Sequence, residues 1–131
     1  MSAIGKTADL GSNAISFDKG TASSFEVYFP NDIASGTLEV IDGDGKIVST
    51  MDIEENPQGV YQFDWDGSLN SGGIADSGVY FITASYSDSQ GNPQTTRMGA
   101  YPIESVRFED GDTLVKVGSA YVPLKNIVEV Y

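Results

Sequence analysis

The 131-residue sequence predicts an all-β protein: a β-sandwich inserted into a small β-barrel that both chain ends build. Three observations carry this reading. Apolar residues recur with a period of two, rather than 3.6, in segment after segment. Gly, Ser, Thr and Asn interrupt every window long enough for a helix. The charge also divides. Residues 20–100 hold twelve Asp and Glu against Lys46 and Arg97, a net of −10, whereas residues 1–19 and 101–131 together hold seven against five cations, a net of −2. That contrast suggests a middle segment built under different constraints from its flanks.

Each element follows from local pattern. Residues 1–19 contain "GKTADL" and "NAISF", two short alternating stretches. Ser23–Phe29 alternates and stops at Pro30-Asn31-Asp32, a strand end followed by a turn. "GTLEVID" and "KIVSTMDI" flank Gly43-Asp44-Gly45, residues that tolerate the positive φ of a hairpin turn. Gly59–Trp65 is a further strand, and the polar loop Ser68–Gly73 follows it. Gly78–Ser87 sets Val79, Phe81 and Thr83 on one face and Tyr80, Ile82, Ala84 and Tyr86 on the other. Ser87–Asn92 turns, and "PQTTRMGAY" closes a last hairpin. Six or seven short strands between residues 20 and 100 match an immunoglobulin or fibronectin III-like sandwich.

From Tyr101-Pro102 the chain starts afresh. "IESVRFE", "TLVKVG", "AYVPL" and "IVEVY" read as four short strands joined by Asp-Gly or Gly-Ser turns. Four such strands in 31 residues cannot bury a core alone. The two stretches in residues 1–19 offer the missing partners. Residues 1–19 plus 101–131 are therefore expected to form one discontinuous SH3-like barrel, with the sandwich of residues 20–100 inserted into it.

Composition removes whole classes of function. Cysteine and histidine are both absent. That excludes a disulfide framework, thiolate chemistry, the Ser-His-Asp triad and nearly every zinc site. Carboxylates, lysine or tyrosine would have to carry catalysis unaided, so a non-enzyme without cofactor or metal is expected. A net charge of −12 opposes binding to nucleic acid and to an anionic membrane surface. No apolar run approaches a membrane span, and no Sec-type signal peptide is visible.

Four constellations invite a chemical reading. Asp42-Gly43-Asp44-Gly45 superficially resembles the start of a calcium loop. Position 12 counted from Asp42 is Ile53, however, and the flanks are strands, so a hairpin turn is expected. Asp64 and Asp66 bracket Trp65 like an acid/base pair. Strand alternation turns Trp65 into the core and leaves Asp66-Gly67 to shape the next loop. Tyr101, Phe108, Tyr121 and Tyr131 could frame an aromatic cage; filling the core or rim of a small barrel is the simpler role. Glu54-Glu55-Asn56 reads as a solvated turn before Pro57.

The stretch from Phe63 to Tyr86 resembles the immunoglobulin-like module of bacterial flagellar hook-capping proteins, a family of hook assembly scaffolds. The resemblance rests on Trp65-Asp66-Gly67, then Gly72 and Gly73, then Ser77-Gly78-Val79-Tyr80. Its signature positions are Trp65, Asp66, Gly67, Gly73, Gly78, Val79 and Tyr80. Ile4 to Phe17 is similar to the segment preceding that module, and residues 101–131 to the C-terminal return into a Tudor-like barrel. The family's N-terminal region, linked to export and to action at the hook, has no counterpart here, so the likeness is to the C-terminal region.

The resemblance implies a scaffold at the tip of the growing hook, exported through the flagellar type III channel. Its implied partners are hook protein subunits, with self-association into a cap as a further contact. The alternative from the residues alone is a generic extracellular adhesion or glycan-binding module, with Tyr28 and Tyr61 as exposed aromatics.

Overall fold

The computed structural model describes residues 3–131. In chain order its strands are β1 (Thr7–Asp9), β2 (Ala14–Phe17), β3 (Ser23–Phe29), β4 (Ile33–Ile41), β5 (Ile47–Ile53), β6 (Gly59–Trp65), β7 (Gly78–Asp88), β8 (Pro93–Arg97), β9 (Ala100–Glu109), β10 (Asp112–Val117), β11 (Ala120–Pro123) and β12 (Glu129–Val130). A 3-10 turn lies at Leu124–Asn126. The chain divides into two units: the stretch up to Ser12 together with Gly99–Tyr131, and Asn13–Met98.

Asn13–Met98 forms a sandwich. One sheet runs β2-β7-β4-β5, with β8 pairing to β7 beyond β2; β3 and β6 make the second. All pairings are antiparallel. Alternation explains the layers. β3 buries Phe25, Val27 and Phe29, and Trp65 at the end of β6 is buried with them. From the larger sheet Leu38, Val40, Ile82, Ala84 and Tyr86 join the same core. Burying one side chain of this size contributes roughly 1.5–3 kcal/mol, and a one-residue slip would turn each set outward. Every segment expected as a strand between Ser23 and Ser87 forms one. The two ends of the unit meet. The Asn13 side-chain amide and the Met98 N–H both donate to the Ile82 carbonyl, at 3.0 and 3.3 Å.

Two expectations need correction. "NAISF" does not serve the terminal unit, because β2 pairs with β7 from Ala14↔Phe81 to Phe17↔Gly78. Phe17 explains the choice: its ring lies 4.7 Å from Trp65 and 6.2 Å from Tyr80, centroid to centroid, inside the aromatic core. The sandwich therefore begins at Asn13 rather than residue 20. The charge contrast survives the shift, since Asp18 and Lys19 move together and cancel.

The terminal unit is also not a closed barrel. Its five strands form an open sheet in the order β11-β10-β9-β1-β12. β1 joins the two ends of the chain, pairing Ala8 with Tyr101 on one side and with Val130 on the other. Closure would need β11 and β12 to pair with each other. β12 is only two residues long, and no such pairing occurs among the described residues. Ala8, Tyr101, Ile103, Val115 and Val117 supply the buried positions.

Candidate functional site

The signature residues gather at one end of the sandwich. Trp65 is 1% exposed. Its indole packs 4.9 Å from the Tyr80 ring in an edge-on arrangement, and its Nε1–H donates to the Ser68 carbonyl at 3.3 Å. That bond satisfies the one polar atom the ring brings inside. Asp66 points outward, and its Oδ1 accepts the Ser68 N–H at 2.9 Å. Hydrogen bonds from the Ser68 side chain and backbone hold its carboxyl below the usual carboxylate range. Gly67 takes φ +90°, and a Cβ there would stand 2.2 Å from Cζ of Phe17. Backbone conformation and packing both require glycine at this position.

The loop then folds back on the sandwich. Gly67 accepts from the Ala75 N–H at 2.8 Å, and the Gly73 carbonyl accepts from Leu69 at 3.1 Å. Asn70 crosses to β5. Its N–H donates to the Val48 carbonyl at 2.9 Å, and its Oδ1 accepts the Thr50 N–H at 3.0 Å. Gly78 opens β7 opposite Phe17. Val79 is 54% exposed, whereas Tyr80 turns inward and donates its hydroxyl to the Asp76 carbonyl at 2.7 Å. The Asn70 contact and the Tyr80–Asp76 bond were not legible in the sequence. Asn in a loop signals a turn, and nothing local says which strand it will reach.

Other candidates resolve as follows. Asp64 lies on the face opposite Trp65 and receives the Ser24 hydroxyl. The two aspartates thus hold separate hydroxyl and turn partners rather than a shared proton. Asp42 Oδ1 accepts the Asp44 and Lys46 N–H groups at 2.9 and 3.0 Å, the geometry of a hairpin turn. Among the described residues no three His, Cys, Asp or Glu side chains converge as a metal site.

The aromatics expected to fill the small barrel part company. Tyr101 is buried, but Phe108 is 81% exposed and Tyr131 is 61% exposed. Arg107 covers the Tyr121 ring at 4.2 Å. An open sheet encloses no interior of its own, and Phe108 and Tyr131 stay outside. Tyr61 is not the exposed aromatic expected either, since it packs against the sandwich core and donates to the Pro57 carbonyl at 2.6 Å.

Residues 12–90 match the family model described as FlgD Ig-like domain. A curated relative, the basal-body rod modification protein FlgD of Escherichia coli strain K12, is 31% identical over 100 residues, covering 72% of this chain and 41% of the relative. The match spans about two fifths of that relative's length. Among solved structures, truncated FlgD from Helicobacter pylori strain 26695 is similar with a TM-score of 0.85 and 28% identity, covering 98% of this chain and 94% of that one. FlgD from Xanthomonas campestris, a protein tied to the hook capping essential for flagellar assembly, shares the fold at a TM-score of 0.62 and 21% identity over 98% and 94% of the two chains.

Proposed function

Because the chain belongs to the FlgD family through its Ig-like domain, we propose that it is a non-catalytic scaffold at the distal tip of the growing flagellar hook, promoting the assembly of hook subunits. One observation carries the reading: the likeness to a truncated FlgD extends over both units and not over the sandwich alone. Hook protein subunits are the proposed partners, with self-association into a cap as a second contact. The proposed route is the flagellar type III channel. A chain without cysteine suits it, because no disulfide can form before passage.

In this scaffold the signature residues are structural. Trp65, Gly67 and Tyr80 lock the loop to the sandwich, Asp66 sets its turn, and Gly73, Gly78 and Val79 complete its return to the sheet. The two units are proposed as separate domains, one discontinuous and one inserted. The family similarity supports this reading over an adhesion or glycan-binding module.

Deletion of this segment from the full-length protein tests the proposal. Expected are absent hooks or hooks of altered length by electron microscopy, with an immunoblot showing that the shortened protein is made. Hooks of normal number and length would overturn it.

A further inference from the structure

The sandwich has one side where both sheets end without a neighbouring strand. Among the described residues β5 pairs with β4 alone, and β6 with β3 alone. On β5 the outward peptide groups are those of Val48, Thr50 and Asp52, because Val48 and Thr50 already bond to Asn70. On β6 the outward set follows from β3. The Tyr28 carbonyl is taken by the Thr96 hydroxyl at 2.9 Å, on the side away from β6. Tyr28 pairs with Val60, so Val60, Gln62 and Asp64 direct their N–H and C=O groups away from β3. Among the described residues no backbone group pairs with this edge of β6.

A slot runs along the same two strands. One cavity of about 290 Å³ lies beside Asp52, Ile53, Tyr61 and Phe63, and one of about 500 Å³ lies beside Met51, Asp64 and Trp65. The floor is apolar, from Met51, Ile53 and Phe63. The rim is acidic: Asp52, Glu54, Asp64 and Asp66 line the two cavities, and no Lys or Arg does. A strand laid against β6 would put alternate side chains over that floor and the others outward beside Gln62 and Asp64. Unpaired edges of this kind accept an added strand through main-chain bonds, with alternate side chains setting specificity.

We propose that the β6 edge and its slot dock an extended polypeptide segment that alternates apolar and basic residues. The main-chain bonds come from Val60, Gln62 and Asp64, and the choice of basic side chains comes from the four rim carboxylates. About five residues fit beside β6 at ~3.4 Å each. This surface stands apart from the hook-cap reading, because it is defined by a chemistry and not by a flagellar partner.

The test uses the 131-residue chain, ¹⁵N-labelled, titrated with a blocked hexapeptide alternating Val and Lys and with its Val/Glu counterpart. Expected are amide shifts centred on Val60, Gln62 and Asp64 with the Lys peptide, affinity that falls as salt rises from about 50 to about 500 mM, and no binding of the Glu peptide. Gln62→Pro removes one outward N–H that β3 does not use and should abolish the shifts. If that variant does not fold, the exposed pair Asp52→Lys with Glu54→Lys decides, with an expected loss of affinity of about tenfold. Equal binding of both peptides, shifts centred elsewhere, or unchanged affinity in a folded variant overturns the proposal.

Discussion

Substituting alanine for Gly67 adds one methyl group at the most crowded turn of the sandwich. Two costs arise. At φ +90° a side chain meets the following carbonyl, which costs about 1–2 kcal/mol. The new Cβ would also lie 2.2 Å from Cζ and 2.9 Å from Cε2 of Phe17, a residue 1% exposed whose ring packs against Trp65. Overpacking of this kind typically costs 1–3 kcal/mol, so the total is about 2–5 kcal/mol. Gly73 separates the two effects. Its φ is +80°, but nothing lies within 4 Å of its missing Cβ. Gly73→Ala should therefore lose only the backbone share, about 1–2 kcal/mol. The entropy that alanine removes from the unfolded chain is the same at both positions and cancels in the comparison. Urea unfolding followed by tryptophan fluorescence reads the sandwich directly, because Trp65 is the only tryptophan. Equal midpoint shifts for the two variants would refute the argument that Phe17 makes Gly67 obligatory. Phe17→Leu in the Gly67→Ala background should recover part of the loss, a coupling a double-mutant cycle measures.

Three further outcomes are expected. Trp65→Ala should destabilise the sandwich by about 3–5 kcal/mol, as for a large buried aromatic, measured by calorimetry; melting like wild type would place Trp65 outside the core. Asp88 is held below its ordinary carboxylate value, first by the Asn92 N–H and then by the Gln94 side chain, so its stabilisation is present above pH ~4 and lost as pH falls through its lowered folded value. Denaturation midpoints at neutral and acid pH should thus converge for wild type and Asp88→Asn, and a constant gap between them would count against this. Tyr80 and Tyr86 are pushed above the ordinary tyrosine value, chiefly by burial, so their contribution is intact below pH ~10 and lost as pH rises beyond it. Ultraviolet titration should show late ionisation that Tyr86→Phe reduces by one tyrosine.

Legibility followed the range of the forces involved. Alternation is local, so Phe25-Val27-Phe29 and the inward turn of Trp65 could be read from the sequence alone. The Asx turn at Asp66-Gly67-Ser68 is local as well. The owner of β2 could not be read, because "NAISF" alternates equally well for either unit and only Phe17 meeting Trp65 and Tyr80 decides it. Closure of the terminal sheet failed for a similar reason. Four alternating stretches fix the number of strands, but β12 forms over Glu129–Val130 only and pairs with β1, more than a hundred residues away in the chain, and not with β11. The Asn70 contact on β5 was hidden because a loop residue there, through its N–H and its Oδ1, takes the place of a strand's bonds.

The meeting of Asn13 and Met98 at the Ile82 carbonyl has a kinetic consequence. β1 and β9 belong together but are separated in the chain by the 86-residue sandwich. If the terminal sheet formed first, β1 and β9 would have to close a disordered loop of that length. Once the sandwich is folded its ends are already side by side, and the effective loop shrinks to a few residues. At about 0.6 kcal/mol per doubling of loop length, the four or five doublings removed lower the closure barrier by roughly 2.5–3 kcal/mol. Refolding should therefore be ordered, the insert before its host. In pulse-labelled hydrogen exchange Ile82 would gain protection ahead of Ala8.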